Sequence, residues 1–142
     1  MKPHNTEQAA RGLIMYQLAI RGYTIQFTDS RFPIEDLLCI SPNLKHFGID
    51  VKGQRTSNFW RFNEPRISPE FFFAFVYVPV TDKPRVAIID SATVNRLWNQ
   101  YKEEALQRDK ISSVKRKSDA YQWGLNWKTP FDYEDNYDIL PK

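Results

Sequence analysis

The sequence predicts an α/β protein in which helices flank a central mixed β-sheet. Two segments with apolar residues at helical spacing, residues 6–21 and 91–107, enclose a series of segments rich in β-forming residues. The predicted order is helix, three short strands, two longer strands, helix, which is typical of a layered α/β architecture. The 142-residue chain has no internal repeat and no linker-like stretch, so a single domain spanning residues 1–142 is expected.

The two predicted helices have recognisable ends. The first, residues 6–21, is followed by Gly22, which is a suitable helix stop. Glu7 is expected in its first turn, where the helix dipole favours an acid. The second helix, residues 91–107, has Ser91 as its candidate cap.

Five segments rich in β-forming residues, separated by turn residues, are predicted to be strands. They are residues 23–28, 36–40, 47–53, 71–79 and 85–90. The last two are joined by a short polar turn and predict a hairpin buried on both faces. The longest apolar run, residues 71–80, is too short to cross a membrane as a helix.

The composition is compatible with a cytoplasmic protein. Its mildly basic charge permits a polyanionic partner but does not require one. The formal net charge is +3, and aromatic residues make up 15% of the chain. Cys39 is the single cysteine, which excludes an internal disulfide or a cysteine zinc cluster and fits a reducing compartment. No signal peptide is recognised at the start of the sequence, and no membrane partner is expected.

The third predicted strand carries polar residues on one face. Alternate residues of a strand share a face, so Phe47, Ile49 and Val51 should face one way, and Gly48, Asp50, Lys52 and Gln54 the other. Charged groups are rarely buried unless they are paired or bind a metal. Asp36 opens the preceding strand, and a short turn would bring it beside Asp50. Two carboxylates with carbonyl oxygens suit Mg²⁺ or Mn²⁺, beside which a lysine can activate water.

This pattern resembles the signature of the PD-(D/E)XK, restriction-endonuclease-like nucleases. The signature consists of an acid before a strand, a hairpin turn and then (Asp/Glu)-X-Lys. In this sequence it corresponds to residues 33–36 and 50–52. The family's proline directly precedes its aspartate, whereas two residues intervene here, so it stays open whether Glu35 or Asp36 is the ligand. The resemblance covers roughly residues 6–89. It implies a core with the order αβββαβ.

The resemblance also implies a function and residue roles. The protein would be a metal-dependent phosphodiesterase that cuts nucleic acid, DNA more than RNA, with Mg²⁺ or Mn²⁺ as cofactor. The implied metal ligands are Asp36, Asp50 and the Val51 carbonyl, and Lys52 would position and activate water with support from Gln54 and Glu7. Candidate phosphate-binding residues are Arg55, Arg61, Lys115, Arg116 and Lys117. Many family members act as dimers, so a homodimer is a further expectation.

Two alternative interpretations compete with this one. Asp50 and Lys52 are also compatible with a solvated strand edge, and Asp36 with a turn cap. A second alternative is a catalytically inactive module of the same fold that binds nucleic acid or protein. The presence of all three residues of the Asp36, Asp50 and Lys52 set favours the enzyme. Trp60, just beyond the motif, would either stack on a base or pack in the core.

Overall fold

A computed structural model describes residues 3–27, 36–112 and 123–142. Two helices and seven strands are found in these residues: α1 (Pro3–Ala19), β1 (Thr24–Phe27), β2 (Leu37–Ile40), β3 (His46–Gln54), β4 (Trp60–Arg61), β5 (Phe71–Tyr77), β6 (Arg85–Asp90), α2 (Ser91–Ser112) and β7 (Gly124–Leu125). Two short 3₁₀ helices follow, Thr129–Tyr133 and Tyr137–Ile139. No helix in the described part of the chain is long and apolar enough to cross a membrane.

The five longer strands form one mixed sheet in the order β1-β2-β3-β5-β6. β3 and β5 run parallel, and the other neighbouring pairs run antiparallel. The predicted α/β class and central mixed sheet are therefore confirmed, as is the predicted hairpin of β5 and β6.

The second helix lies at a different point in the chain from the one that the nuclease resemblance implies. Parallel strands require a crossover connection, and between β3 and β5 that connection, residues 55–70, contains β4 and no helix. α2 instead follows β6. The αβββαβ order that the resemblance implies is therefore not found in the described residues. The order predicted from the periodicity of the sequence matches the structure, except that it lacked the two-residue strands β4 and β7.

The sheet separates two hydrophobic cores, each closed by one helix. On one face, α1 packs against the sheet through Ala10, Ile14 and Leu18, which lie in one cluster with Ile49, Val51, Phe72, Ala74 and Val76. On the other face, Val94 and Trp98 of α2 share a cluster with Phe71, Phe73, Phe75, Ala87 and Ile89. β5 contributes to both cores, which explains why its residues are almost continuously apolar.

β3 is apolar on one face and polar on the other, as predicted. Phe47, Ile49 and Val51 are buried with α1. Asp50 and Lys52 lie on the opposite face and are only partly buried. This strand therefore brings a carboxylate and an ammonium group to the boundary of the second core.

The start of α1 and the cap of α2 differ from the prediction, whereas α2 begins at Ser91 as predicted. α1 begins at Pro3, so Glu7 lies beyond the first turn. The cap of α2 is Asp90, whose Oδ2 accepts the Thr93 N–H at 3.0 Å, and the Ser91 cap is wrong. The Ser91 hydroxyl instead donates to the Ser68 carbonyl at 2.7 Å. Gly22 does end the first helix, with φ of 90°, a conformation that favours glycine.

α1 lies unusually close to β3 at Gly53. A Cβ atom placed on Gly53 would stand 2.7 Å from the Ala10 Cβ and 3.4 Å from the Thr6 carbonyl oxygen. The absence of a side chain therefore allows the N-terminal half of α1 to pack directly on the end of β3 that carries the polar residues.

Part of the C-terminal segment, Thr129–Tyr133 and the residues directly after it, packs along the β6 edge of the sheet. The Arg85 guanidinium donates to both carboxylate oxygens of Glu134, at 3.1 and 2.8 Å. Its Cζ lies 4.3 Å from the centre of the Phe131 ring. An isolated antiparallel bridge between Ala87 and Glu134 adds a backbone contact to the edge of β6. The tail thus covers an edge that would otherwise expose unpaired backbone groups.

Replacement of Gly53 by alanine tests the close packing of α1. Because the added methyl group must displace Ala10 or the helix backbone, we expect a loss of about 1–3 kcal/mol in the free energy of unfolding. Gly12→Ala is the matched control, since a Cβ at Gly12 meets nothing within 4 Å. That helical substitution should stabilise by up to about 1 kcal/mol. Urea unfolding measures both, and equal effects of the two substitutions would contradict the packing.

Candidate active site

Asp36 is anchored at the point where β2 begins. Its N–H donates to the Ile49 carbonyl at 3.0 Å, and its Oδ2 accepts the Val51 N–H at 2.8 Å. The carboxylate thus takes the place of a strand partner for β3. N–H and C=O of one strand residue point to the same side, so the Val51 carbonyl is directed toward the same edge as Asp36.

The Asp36 carboxylate meets Asp50 and Lys52 at this edge. Asp36 and Asp50 line the same cleft, close enough for the charge of Asp36 to raise the pKa of Asp50. Lys52 Nζ lies 3.1 Å from Asp50 Oδ2. The structure thus places the two acids and the lysine in one cleft, whereas their roles in metal binding and catalysis stay predictions. The solvated-edge interpretation of Asp50 does not fit a side chain that is only 18% exposed.

Asp50 has an altered proton affinity. Burial raises the pKa of its carboxyl to about 6; Lys52 opposes this shift, and Asp36 adds to it. Asp50 therefore changes its charge close to neutral pH, and a nearby cation would favour its ionised form.

Glu7 reaches the site through an arginine that the sequence analysis did not single out. Arg11 Nη2 lies 3.6 Å from Glu7 Oε2 and 3.6 Å from Asp36 Oδ1. Glu7 itself is 60% exposed and stands at the rim. The spacing of four residues puts Glu7 and Arg11 on one helical face, and this signal in the sequence would have identified Arg11.

These groups line a cleft of about 360 Å³ between α1 and residues 60–62, the β4 segment. Its lining consists of Glu7, Arg11, Asp36, residues 50–54 and residues 60–62. Arg61 is exposed and contributes a positive charge at the rim, whereas Arg55 is exposed but is not part of the lining. The predicted phosphate contacts Lys115, Arg116 and Lys117 lie outside the described residues.

Gln54 and Trp60, which line the cleft, make hydrogen bonds that stabilise the fold. The Gln54 side chain donates to the Phe59 carbonyl at 2.9 Å and accepts the Asn58 N–H at 3.0 Å. Its amide therefore stabilises the turn after β3. Trp60 is 2% exposed and donates its indole N–H to the Trp127 carbonyl at 3.1 Å, which makes it a core residue rather than a stacking platform for bases.

A second cleft of about 290 Å³ gives access to the same Asp50 and Lys52 side chains. Its lining includes Glu64 and Arg66 as well as residues 62, 63, 65, 71 and 73. Lys52 Nζ lies 5.6 Å from the centre of the Phe62 ring, which separates the two openings. The acid and lysine pair is therefore accessible from both sides of the β4 segment.

The oxygen atoms at this site suit a hard divalent cation with a small protein ligand set. Within residues 3–27, 36–112 and 123–142, no group of three or more His, Cys, Asp or Glu side chains is placed to hold a metal. The available donors are the carboxylates of Asp36 and Asp50 and the Val51 carbonyl. Mg²⁺ commonly binds through one or two carboxylates and keeps several water molecules, so this donor set fits it in chemical type.

Comparison with protein-family models, curated proteins and solved structures finds no match to this chain. The resemblance to the PD-(D/E)XK nucleases therefore stays a prediction. The observation that supports this prediction is the arrangement of residues 36 and 50–52.

The pH dependence of stability tests the environment of Asp50. Its folded-state pKa of about 6 exceeds the ordinary value of 3.8, so the folded protein binds this proton more tightly than the unfolded chain. Wild-type stability is therefore lost as the pH rises from about 4 through 6. Asp50→Asn should remove a penalty on the order of 2 kcal/mol at pH 7 and much less at pH 4.

Urea unfolding of both proteins across this pH range measures the effect. The difference between them cancels contributions from titrating groups that do not interact with Asp50. A difference in the free energy of unfolding that does not change with pH would show that burial does not perturb Asp50.

Proposed function

We propose that this protein is a Mg²⁺- or Mn²⁺-dependent nuclease of the PD-(D/E)XK type that hydrolyses phosphodiester bonds in nucleic acid. The observation that carries the proposal is the convergence of Asp36, Asp50 and Lys52 at one end of the β2–β3 pair. Two acids in one open cleft and an ammonium group 3.1 Å from one of them form a constellation suited to hydrolysis.

Each residue has a separate role in this proposal. Asp36 and Asp50 provide the carboxylate oxygens, and Asp36 is oriented by the Val51 N–H. Lys52 holds a positive charge, or accepts a proton, beside the attacking water. A divalent cation bound at these oxygens would polarise the phosphoryl group and lower the pKa of its bound water. Asp50 is ionised above about pH 6, so the site is competent at neutral pH.

The substrate is proposed to be nucleic acid, with DNA preferred to RNA. Arg61 at the rim and the exposed Arg55 beyond it are suited to contact backbone phosphates rather than bases. Such contacts supply affinity and orientation without reading sequence. Salt should therefore weaken binding strongly.

The alternative proposal is a non-catalytic binding module of the same fold. It is favoured by the use of the Gln54 amide in the turn after β3, because this amide is then not available to support the acids and Lys52. In this case the cleft would bind nucleic acid or protein without turnover.

Thermal stability measures divalent cation binding directly. At roughly ten times its dissociation constant, Mg²⁺ should stabilise the wild type by about 1.4 kcal/mol, because it binds only the folded site. Asp50→Asn should abolish this stabilisation, whereas the exposed Asp132→Asn control should keep it. If Mg²⁺ shifts the melting temperatures of all three proteins equally, Asp50 is not a ligand.

Cleavage assays with Lys52→Ala test the catalytic role of the lysine. With Mg²⁺ or Mn²⁺ the wild type should cut at least one of plasmid, single-stranded DNA, branched DNA or RNA. Loss of Lys52 should reduce the rate by about a hundredfold or more, while metal binding persists. Lys45→Ala removes the same charge from an exposed turn and should leave cleavage unchanged. If no substrate is cut with either metal and Mg²⁺ does not bind, the binding module is correct.

A further inference from the structure

Arg11 occupies an unusual position among the charged groups of the cleft. Its Nη2 lies at the same distance, 3.6 Å, from one oxygen of Glu7 and one oxygen of Asp36. It is therefore a positive charge placed between an acid at the rim and an acid of the candidate metal site.

These two contacts are ion pairs without close hydrogen-bond geometry. A separation of 3.6 Å exceeds the range of a good N–H···O bond. Both partners are also accessible to water, with Arg11 30% and Asp36 29% exposed. Ion pairs of this kind contribute little to stability. The guanidinium can thus leave Asp36 at little cost.

The two oxygens of Asp36 have different roles. Oδ2 is fixed by the Val51 N–H at 2.8 Å, whereas Oδ1 faces Arg11. A divalent cation that binds Asp36 from the cleft therefore competes with Arg11 for the same negative charge. Arg11 is itself well placed, because Ala10 beside it packs against Gly53 and fixes this turn of α1.

The charge balance indicates what Arg11 binds after it is displaced. The charged groups that line the cleft are three acids, Glu7, Asp36 and Asp50, and three bases, Arg11, Lys52 and Arg61, so their net charge is 0 when all are ionised. A divalent cation changes this to +2. A phosphodiester, with its single negative charge, reduces this excess, so an anionic ligand is favoured once the cation is bound. A guanidinium is the side chain best suited to bind two phosphate oxygens at once.

We infer that Arg11 is an exchangeable counter-cation that becomes a phosphate-binding residue. In the free protein it neutralises Asp36 and Glu7. When a divalent cation occupies the Asp36 and Asp50 oxygens, the guanidinium moves to a non-bridging oxygen of the substrate phosphate. This inference rests on the proposed function, and it assigns to Arg11 a part in substrate binding that is separate from metal binding.

The inference requires opposite effects of one substitution on two ligands. Arg11→Gln should bind Mn²⁺ about three- to tenfold more tightly than the wild type, because a competing positive charge is lost. The same variant should bind labelled single-stranded or duplex DNA about fivefold or more weakly in Ca²⁺, because a phosphate contact is lost. Arg11→Lys keeps the charge, so its Mn²⁺ affinity should stay near that of the wild type.

Mn²⁺ titration and fluorescence anisotropy measure the two affinities on the intact chain. Arg96→Gln, an equal change of charge at an exposed position of α2 outside the cleft lining, is the control and should alter neither affinity appreciably. Urea unfolding confirms that each variant is folded.

The two possible failures are distinguishable. If the wild type binds Mn²⁺ but Arg11→Gln binds it equally or more weakly, the exchange is wrong while the metal site stands. An unchanged DNA affinity of a variant with tighter Mn²⁺ binding overturns the phosphate role. If the wild type binds no divalent cation, the proposed function fails and the inference fails with it.

Discussion

The hydrogen bond from the Val51 N–H to Asp36 Oδ2 is the contact on which the candidate site depends. At this point β3 continues beyond β2, and a side-chain carboxylate satisfies a backbone donor that would otherwise lack a strand partner. This arrangement brings Asp36 to the same edge as Asp50, although they are fourteen positions apart in the chain. It also fixes one oxygen of Asp36 and leaves the other facing Arg11, so the two carboxylate oxygens are chemically unequal. An asparagine would preserve an oxygen acceptor for Val51 but would remove the negative charge on which the proposed metal site depends.

The site is electrostatically costly, and the surrounding packing compensates for this cost. Asp50 is held at the edge of an aromatic core, where burial and Asp36 together raise the pKa of its carboxyl to about 6 in spite of Lys52. A protein selected only for stability would not keep a carboxyl group in this environment. The close packing of α1 at Gly53, the two cores and the Arg85–Glu134 pair hold the surrounding scaffold in place. Rigid elements of this kind are what a reactive cluster needs if its members are to keep their relative positions.

The prediction of the fold from the sequence succeeded where periodicity is strong. The alternation in β3, the hairpin of β5 and β6 and the existence of both helices follow from local patterns of apolar residues. The prediction was wrong where the role of a residue depends on contacts with residues far away in the chain. Ser91 bonds to Ser68 in the β4–β5 connection, and this long-range contact leaves the capping role to Asp90. The indole of Trp60 is covered because β4 pairs with β7 and Trp127 supplies an acceptor, and both lie more than sixty residues further along the chain. No local pattern around Trp60 contains that information.

The sequence by itself determined which face of β3 is polar and that an acid stands before β2, because strand geometry makes alternate residues share a face. It also provided the acid-X-Lys spacing that predicts the chemistry. Only the tertiary structure decided that β5 lies parallel to β3 without an intervening helix, that Arg11 links Glu7 to Asp36, and that the Gln54 amide is used by a turn. These features depend on how α1 and the β4 segment pack against the sheet. Packing is set by contacts between residues far apart in the chain, and a single sequence does not specify such contacts locally.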